Sequence, residues 1–398
     1  MSKYSVPHIT SVAVTDSYLA PRIAANHTAT IPASLKFSYD TGRIDAFKLT
    51  WKKGDPKEPH VFWDSDVAKV VEGMCYDLVL HPEDKTLADE LDRLVSLIVS
   101  AQQPDGYLNT HFTVVAPEDR WKHLAWAHEL YCAGHLTEAA IAHFHATGKR
   151  NFLDCMCRYC DYIDSVFGRG KGKKRGYPGH EELELALCKL AEVTGRKKYF
   201  KLAQYFIEER GSKPNYFVEV EGEKAEWQTT LQNDVPVRER HEAAGHAVRM
   251  MYLACGMADI ADKTGDAELL GRCSEIFESV SRRRCSVTGG IGATRNGEDF
   301  DRDYKLVNLD AYNESCGAMG LVWFLQRMHN ITGEGRFMDL LERVLYNATL
   351  SGISISGDHF FYQNPLRSSV DSPYHRERVE WFGCSCCPTN YCRFLPQI

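Results

Sequence analysis

No stretch of this 398-residue chain approaches the roughly eighteen consecutive apolar residues of a membrane-crossing helix. The opening MSKYSVPHITSVAV has neither the apolar core nor the small-residue cleavage site of a secretory signal. Cationic excess is also missing. Lys and Arg number 47 against 54 Asp and Glu, a formal net charge of −7, which argues against nucleic acid as the main partner. A dinucleotide-binding G-x-G-x-x-G is absent, although VTGGIGATRNGEDF at 287–300 is rich in glycine. What remains is an ordinary soluble composition, long enough for one large domain or two. Fourteen cysteines without a signal imply a reducing, cytoplasmic compartment in which thiols stay free or metal-bound.

Cysteine is the residue in surplus, and its densest cluster lies in FGCSCCPTNYCRFLPQI, where Cys384, Cys386 and Cys387 are followed by Pro388. One short piece of backbone aims these three in different directions, so they cannot all be core filler. A disulfide between the adjacent Cys386 and Cys387 would be strained, and a reducing compartment disfavours it. Thiolates bind borderline metals. Upstream, Asn313-Glu314-Ser315-Cys316 offers a carboxylate and a thiol two residues apart, and Glu314, Cys316, Cys386 and Cys387 together would make a four-ligand zinc set. The cluster departs from the usual paired zinc-cysteine spacing. On the residues alone, metal ligation and buried inert thiols both stay open.

Taken in order, residues 1–60 carry alternation and Pro/Gly punctuation that predict a β-rich segment packing on the rest. From 61 onward the pattern is helical. Asp64-Ser65-Asp66 reads as an N-cap, and periodic runs at 66–101 form a first helical hairpin. Then a repeat appears: HATGKRNFL, VTGRKKYF, KTGDAELL and ITGEGRFM each end a long amphipathic helix in Thr-Gly and open another within a few residues. This predicts five hairpins with short loops on one rim and long, unlike connections on the other, the pattern of an (α/α) toroid. Histidines and carboxylates gather where the inner helices start: His128, His135, His180 with Glu181, His246 and Glu314. A histidine on a helix is ordinarily structural, but recurrence at corresponding repeat positions points to a shared pocket. In the glycine-rich loop, Glu298 reads either as part of a flexible rim or as a positioned general acid beside the Glu314–Cys316 segment.

These residues fall within a longer series of ordered motifs. It runs through APRIAANHTATIP, TGRIDAF, FWDSDVAKVVEG, QQPDGYLNT, HELYCAGHLTEAA, GYPGHEELELALCKL and GHAVRMMYL. It continues through TGGIGATRNGEDF, AYNESCGAMG, LLERVLYNATLSGI, FFYQNPL and CSCCPTN. Over nearly its whole length the chain resembles glycoside hydrolase family 127, the β-L-arabinofuranosidases. The resemblance implies an (α/α)6 barrel over 61–398 and a zinc ion in the four-ligand set. It implies Cys386 as nucleophile and metal ligand, and Glu298 as acid/base. It also places His128 or His135, His180, His246, Glu342 and Tyr362 along the sugar subsite.

The expected activity is retaining release of β-linked L-arabinofuranose from a glycan, with no membrane or nucleic-acid partner. The alternatives are another sugar in the same site, such as an acidic branched deoxy-sugar of pectin, or a carbohydrate-binding protein with a structural zinc. Family members continue into β-sandwich domains beyond the Cys-Cys-Pro segment. The helix count therefore predicts an incomplete sixth hairpin, an uncovered apolar face, a mobile 386–387 segment and association of copies through the open edge.

Overall fold

Each Thr-Gly of the repeat ends a helix, and the threonine contributes as much as the glycine. In the computed structural model, which describes residues 2–7, 9–372 and 374–398, Gly148, Gly195, Gly265 and Gly333 take left-handed backbone with φ between 69° and 73°. The preceding threonine donates its hydroxyl to the carbonyl four residues back at 2.6–2.8 Å in all four cases. At Thr147, Thr194 and Thr332 the same oxygen accepts the N–H two residues ahead. One side chain thus ties off the last turn and the departing loop together.

The chain divides into two compact units. The N-terminal unit comprises Pro7–Leu202, Ile355–Asp358 and Gly383–Ile398. It holds α1 (Leu19–Ala25), a π turn (Asn26–Thr30), α2 (Ile31–Asp40), α3 (Trp63–Leu80), α4 (Lys85–Ser100) and the single turn α5 (His111–Val114). It continues with α6 (Glu129–Thr147), α7 (Asn151–Val166), α8 (Leu183–Thr194) and the first residues of α9 (Lys197–Glu209). The central unit holds the rest of α9, the single turn α10 (Tyr216–Glu219), α11 (Ala247–Thr264), α12 (Ala267–Ser279), α13 (Ser315–Thr332) and α14 (Gly335–Val344). The last helix, α15 (Cys386–Phe394), returns to the N-terminal unit.

Two kinds of helix alternate. In α3, α6, α11 and α13 the burial runs almost all round, so polar residues on them sit inside the protein. Their hairpin partners α4, α7, α12 and α14 bury one stripe and leave the opposite face to water. Within the N-terminal unit α6 packs between α3 and α8, and within the central unit α11 packs on α13.

The β-rich reading of residues 1–60 is wrong. Among the described residues no strand forms anywhere, only isolated bridges, and residues 19–40 are helical throughout. The helical face is Asn26, Thr30, Ile31, Ser34 and Ser38, spaced at a helical period and buried. Four of these five are polar, so a search for apolar periodicity passes over them. The π turn just before Pro32 accommodates the residue that argued against a helix, placing it in the first turn of α2.

This helix also corrects the expectation of an uncovered face. α15 packs against α3, the π turn and α2, and Cys387 through Pro396 are all buried. Asp64-Ser65-Asp66 likewise lies inside the first turn of α3 rather than capping it. Asp64 instead accepts the Thr110 N–H at 2.8 Å and its hydroxyl at 2.6 Å.

Candidate functional site

In the central unit the glycine-rich loop delivers Glu298 to the start of α11. Gly297 at φ 67° and Glu298 at φ 58° are consecutive left-handed residues, a sharp reversal that Gly297 permits without strain. The Glu298 carbonyl then accepts the Ala247 N–H at 3.1 Å, and Asp299 bridges to His246.

His246 is the N-cap of α11. Its Nδ1 accepts from the Val248 N–H at 3.2 Å, so the ring proton sits on Nε2, which faces Glu298 Oε2 at 3.0 Å. Burial keeps His246 below its ordinary value, so at neutral pH it supports Glu298 as a neutral donor. Tyr312 donates its hydroxyl to the other carboxylate oxygen, Oε1, at 2.7 Å. Burial pushes Glu298 up, but hydrogen bonds from His246, Tyr312 and Glu314 outweigh it and hold the group below the usual carboxylate range.

Glu314 is buried at the N-cap of α13, and Cys316 is buried in that helix's first turn. One ligand atom each from His246, Glu298 and Glu314 lies within 4.8 Å of the others. The Tyr362 ring stands 6.1 Å from Tyr312, and its carbonyl accepts the Ser315 N–H at 3.0 Å. The central unit thus brings together His246, Glu298, Glu314, Cys316 and Tyr362. Glu342, by contrast, is exposed on α14.

In the N-terminal unit the first residues of α15 carry Cys386, half-buried, and Cys387, buried. Neither is in a disulfide, and their Sγ atoms lie 3.9 Å apart. Two sulfurs bound tetrahedrally to one zinc at 2.3 Å would sit about 3.8 Å apart. The pair therefore has the spacing of two ligands to a single ion, without the contact of a disulfide.

Buried charge fixes this helix. Arg393 lies 3.1 Å from Glu72, 3.7 Å from Glu182 and 3.8 Å from Glu138. Ahead of α15, Arg43 pairs with Asp66 at 2.9 Å and donates to the Gly383 carbonyl at 2.7 Å.

The histidines of this unit sort cleanly. His128 and His180 stand 6.0 Å apart around the Tyr131 ring, which is 4.3 Å from His180. His128 is half-buried on a left-handed residue at φ 59°. His135 is wholly buried against Glu182 at 3.0 Å, and burial drives its imidazole well below the ordinary value. It is a neutral packing partner, and His128 is the one grouped with His180.

Sequence reasoning passed over Tyr312 and Arg393. Tyr312 sits two residues before Glu314 inside AYNESCGAMG, where the thiol and carboxylate drew attention first. Arg393, a charge among apolar residues near the end of α15, was the available sign of buried carboxylates nearby.

With this geometry established, the similarities to known proteins are extensive. Residues 11–398 match the β-L-arabinofuranosidase, GH127 catalytic domain family. The chain is 38% identical over 359 residues to a non-reducing end β-L-arabinofuranosidase of Bifidobacterium longum subsp. longum, covering 85% of this chain and 54% of that protein. Among solved structures, a GH127 β-L-arabinofuranosidase from Geobacillus stearothermophilus T6 superposes with a TM-score of 0.92 at 41% identity, over 97% of this chain and 64% of that one. A second GH127 β-arabinofuranosidase gives a TM-score of 0.90 at 40% identity, over 98% of this chain and 60% of that one. The chain thus spans about half the length of the curated relative it matches.

Proposed function

The chain belongs to the GH127 family, matched over its catalytic domain, and from that premise we propose that it is a retaining exo-glycoside hydrolase releasing β-linked L-arabinofuranose. The proposal includes an (α/α)6 arrangement of the hairpins and a cytoplasmic setting. The observation that carries it, beyond the family, is Glu298 held on both oxygens by His246 and Tyr312. Such a carboxyl is fixed in direction and half-buried, as a proton carrier to a glycosidic oxygen must be.

In this reading Glu314, Cys316, Cys386 and Cys387 hold one zinc ion, a donor set of three sulfurs and one oxygen suited to it. The Cys386–Cys387 spacing fits that role. When bound, the ion keeps the thiols that hold it deprotonated at neutral pH.

Glu298 gives its proton to the leaving oxygen as the C–O bond breaks and the Cys386 sulfur bonds to the anomeric carbon. A water then passes its proton back to Glu298 and attacks the same carbon. The C–S bond breaks, and the sugar leaves with its starting configuration. His128, His180, His246 and Tyr362 are proposed to contact the sugar, and Glu342, exposed on α14, is not among them. His135 is left out of that group because it lies wholly buried against Glu182.

The test joins chemistry to metal. Purified protein should hydrolyse an aryl β-L-arabinofuranoside with the β-anomer as first product, and bound zinc should fall on Cys387→Ser. Release of the inverted anomer would refute the thiolate route, and unchanged zinc in C387S would remove Cys387 from the ligand set. Preference for an acidic deoxy-sugar glycoside would keep the mechanism and replace the substrate.

A further inference from the structure

A second group of metal-binding side chains lies in the N-terminal unit, built from residues with no part in the thiol set. His27 sits in the π turn, Asp77 in the last turn of α3, and His81 is the residue that ends α3. One ligand atom from each lies within 4.8 Å of the others. His27 Nδ1 is 2.6 Å from Asp77 Oδ2, and the two imidazoles are tilted together with centroids 4.1 Å apart.

Behind them stands Asp84, the N-cap of α4. Its Oδ1 accepts the Leu87 N–H at 3.0 Å, and its Oδ2 faces His27 Nε2 at 3.7 Å. A metal-ligating histidine commonly directs its other ring nitrogen at a carboxylate, which fixes the tautomer and raises ligand basicity. Asp77 to one side of the ring and Asp84 to the other make that arrangement.

We propose that His27, Asp77 and His81 form a second metal site, for a borderline divalent ion of the zinc class, backed by Asp84. A plain ion pair between His27 and Asp77 would account for the 2.6 Å contact alone. It gives no role to His81, a second imidazole drawn against the first, and a pair of protonated imidazoles at that distance would repel each other. Two imidazoles with one carboxylate suit zinc, nickel or copper rather than magnesium or calcium, which take oxygen donors.

Binding replaces the shared proton of His27 and Asp77. With bonds of about 2.1 Å the two ligand atoms would separate to about 3.4 Å, an opening of under about 1 Å. His27 and His81 are half-buried and can make that adjustment while an ion enters from solvent. Asp77 is buried and held in place at the end of α3, so the carboxylate is the fixed member of the set. The widened turn of the π segment, of a kind frequent at functional sites, is what presents His27 here. An ion at this point would join the N-terminal helix to the α3–α4 hairpin.

Equilibrium dialysis of the purified protein against micromolar zinc, read as zinc per chain by atomic spectrometry, tests the site. Wild type should bind one more zinc than His81→Ala and one more than His27→Gln. His145→Ala, an exposed histidine at the end of α6, should leave the count unchanged. The loss caused by H81A should persist in a Cys387→Ser background, which separates this site from the thiol set whether or not that set holds zinc. Added zinc should also raise the Tm of wild type and not that of H81A. Equal zinc in wild type, H27Q and H81A would overturn the proposal, as would a loss in H81A that vanishes once Cys387 is replaced. Because His81 is half-buried at a helix end, H81A decides the matter even where H27Q fails to fold.

Discussion

Two carboxyl groups show how one functional group is put to opposite uses. Glu298 is kept ionised by donors on both oxygens, and replacing it tests whether its proton matters. Glu298→Gln should cut turnover of an unactivated arabinoside by about 10²–10⁴-fold. With an activated aryl leaving group the first step needs little acid help, so glycosyl-enzyme should build up, visible as a mass increment on the intact protein. Wild-type rates on the unactivated substrate would end the acid/base assignment.

Asp64 is the reverse case. Burial raises it from 3.8 to about 6, against the lowering effect of its bonds to Thr110. A folded-state value above the unfolded one favours folding below the unfolded value, and the advantage is lost as pH rises through the folded one. Asp64→Asn removes this titration. The stability of wild type relative to D64N should therefore fall by about 3 kcal/mol between about pH 4 and pH 7, read from denaturant unfolding at each pH. A pH-independent difference would mean that Asp64 is not held protonated by burial.

At the scale of elements, the Thr-Gly stops were legible because each is a local device: a left-handed glycine and a threonine bonded within its own last turn. The helix at 19–40 was not, because its buried face is Asn26, Thr30, Ser34 and Ser38, and what hides there is hydrogen-bonded rather than apolar. Asn26 donates to the Cys392 carbonyl at 3.1 Å, a partner 366 residues away that no window of sequence contains. The candidate site shows the same division. Glu298, Glu314 and the cysteines stood out by residue type, whereas Tyr312 matters only through a contact.

Gly73 makes one of these hidden contacts testable. A Cβ on it would meet the Cys392 carbonyl oxygen at 2.5 Å and carbon at 2.6 Å, so α15 lies on α3 backbone to backbone. Gly73→Ala should cost about 1–3 kcal/mol by overpacking, lower the Tm and displace the helix that carries Cys386 and Cys387. Gly271 on α12 has open space around the same position, and Gly271→Ala there should raise stability by about 0.5–1 kcal/mol. Equal effects at the two glycines would show that α15 is free to shift.

At the scale of the whole molecule, the longest-range packing joins residues near the start of the sequence to the last helix. Cys392 is buried with its Sγ 3.2 Å from Ser34 Oγ, and Thr30 donates to the Gly357 carbonyl at 2.7 Å. The helix count from sequence, which took residues 1–60 for β structure, left α15 without this partner and so predicted an exposed strip and a mobile thiol segment. Removing residues 2–40 should create the molecule that count described. Baring even ~300 Å² of apolar surface on α3 and α15 forfeits roughly 7 kcal/mol, which is comparable with the net stability of a whole domain. The shortened chain should melt far below the intact one. Cys392, buried in the intact protein, should react with a thiol reagent at a rate close to that of the denatured state, and limited proteolysis should cut near Gly383. The intact chain should resist both. If the shortened protein melts with the intact one and Cys392 stays protected, the N-terminal helix is dispensable to α15, and the buried face of Asn26, Thr30, Ser34 and Ser38 is not what holds the helix of Cys386 and Cys387 in place.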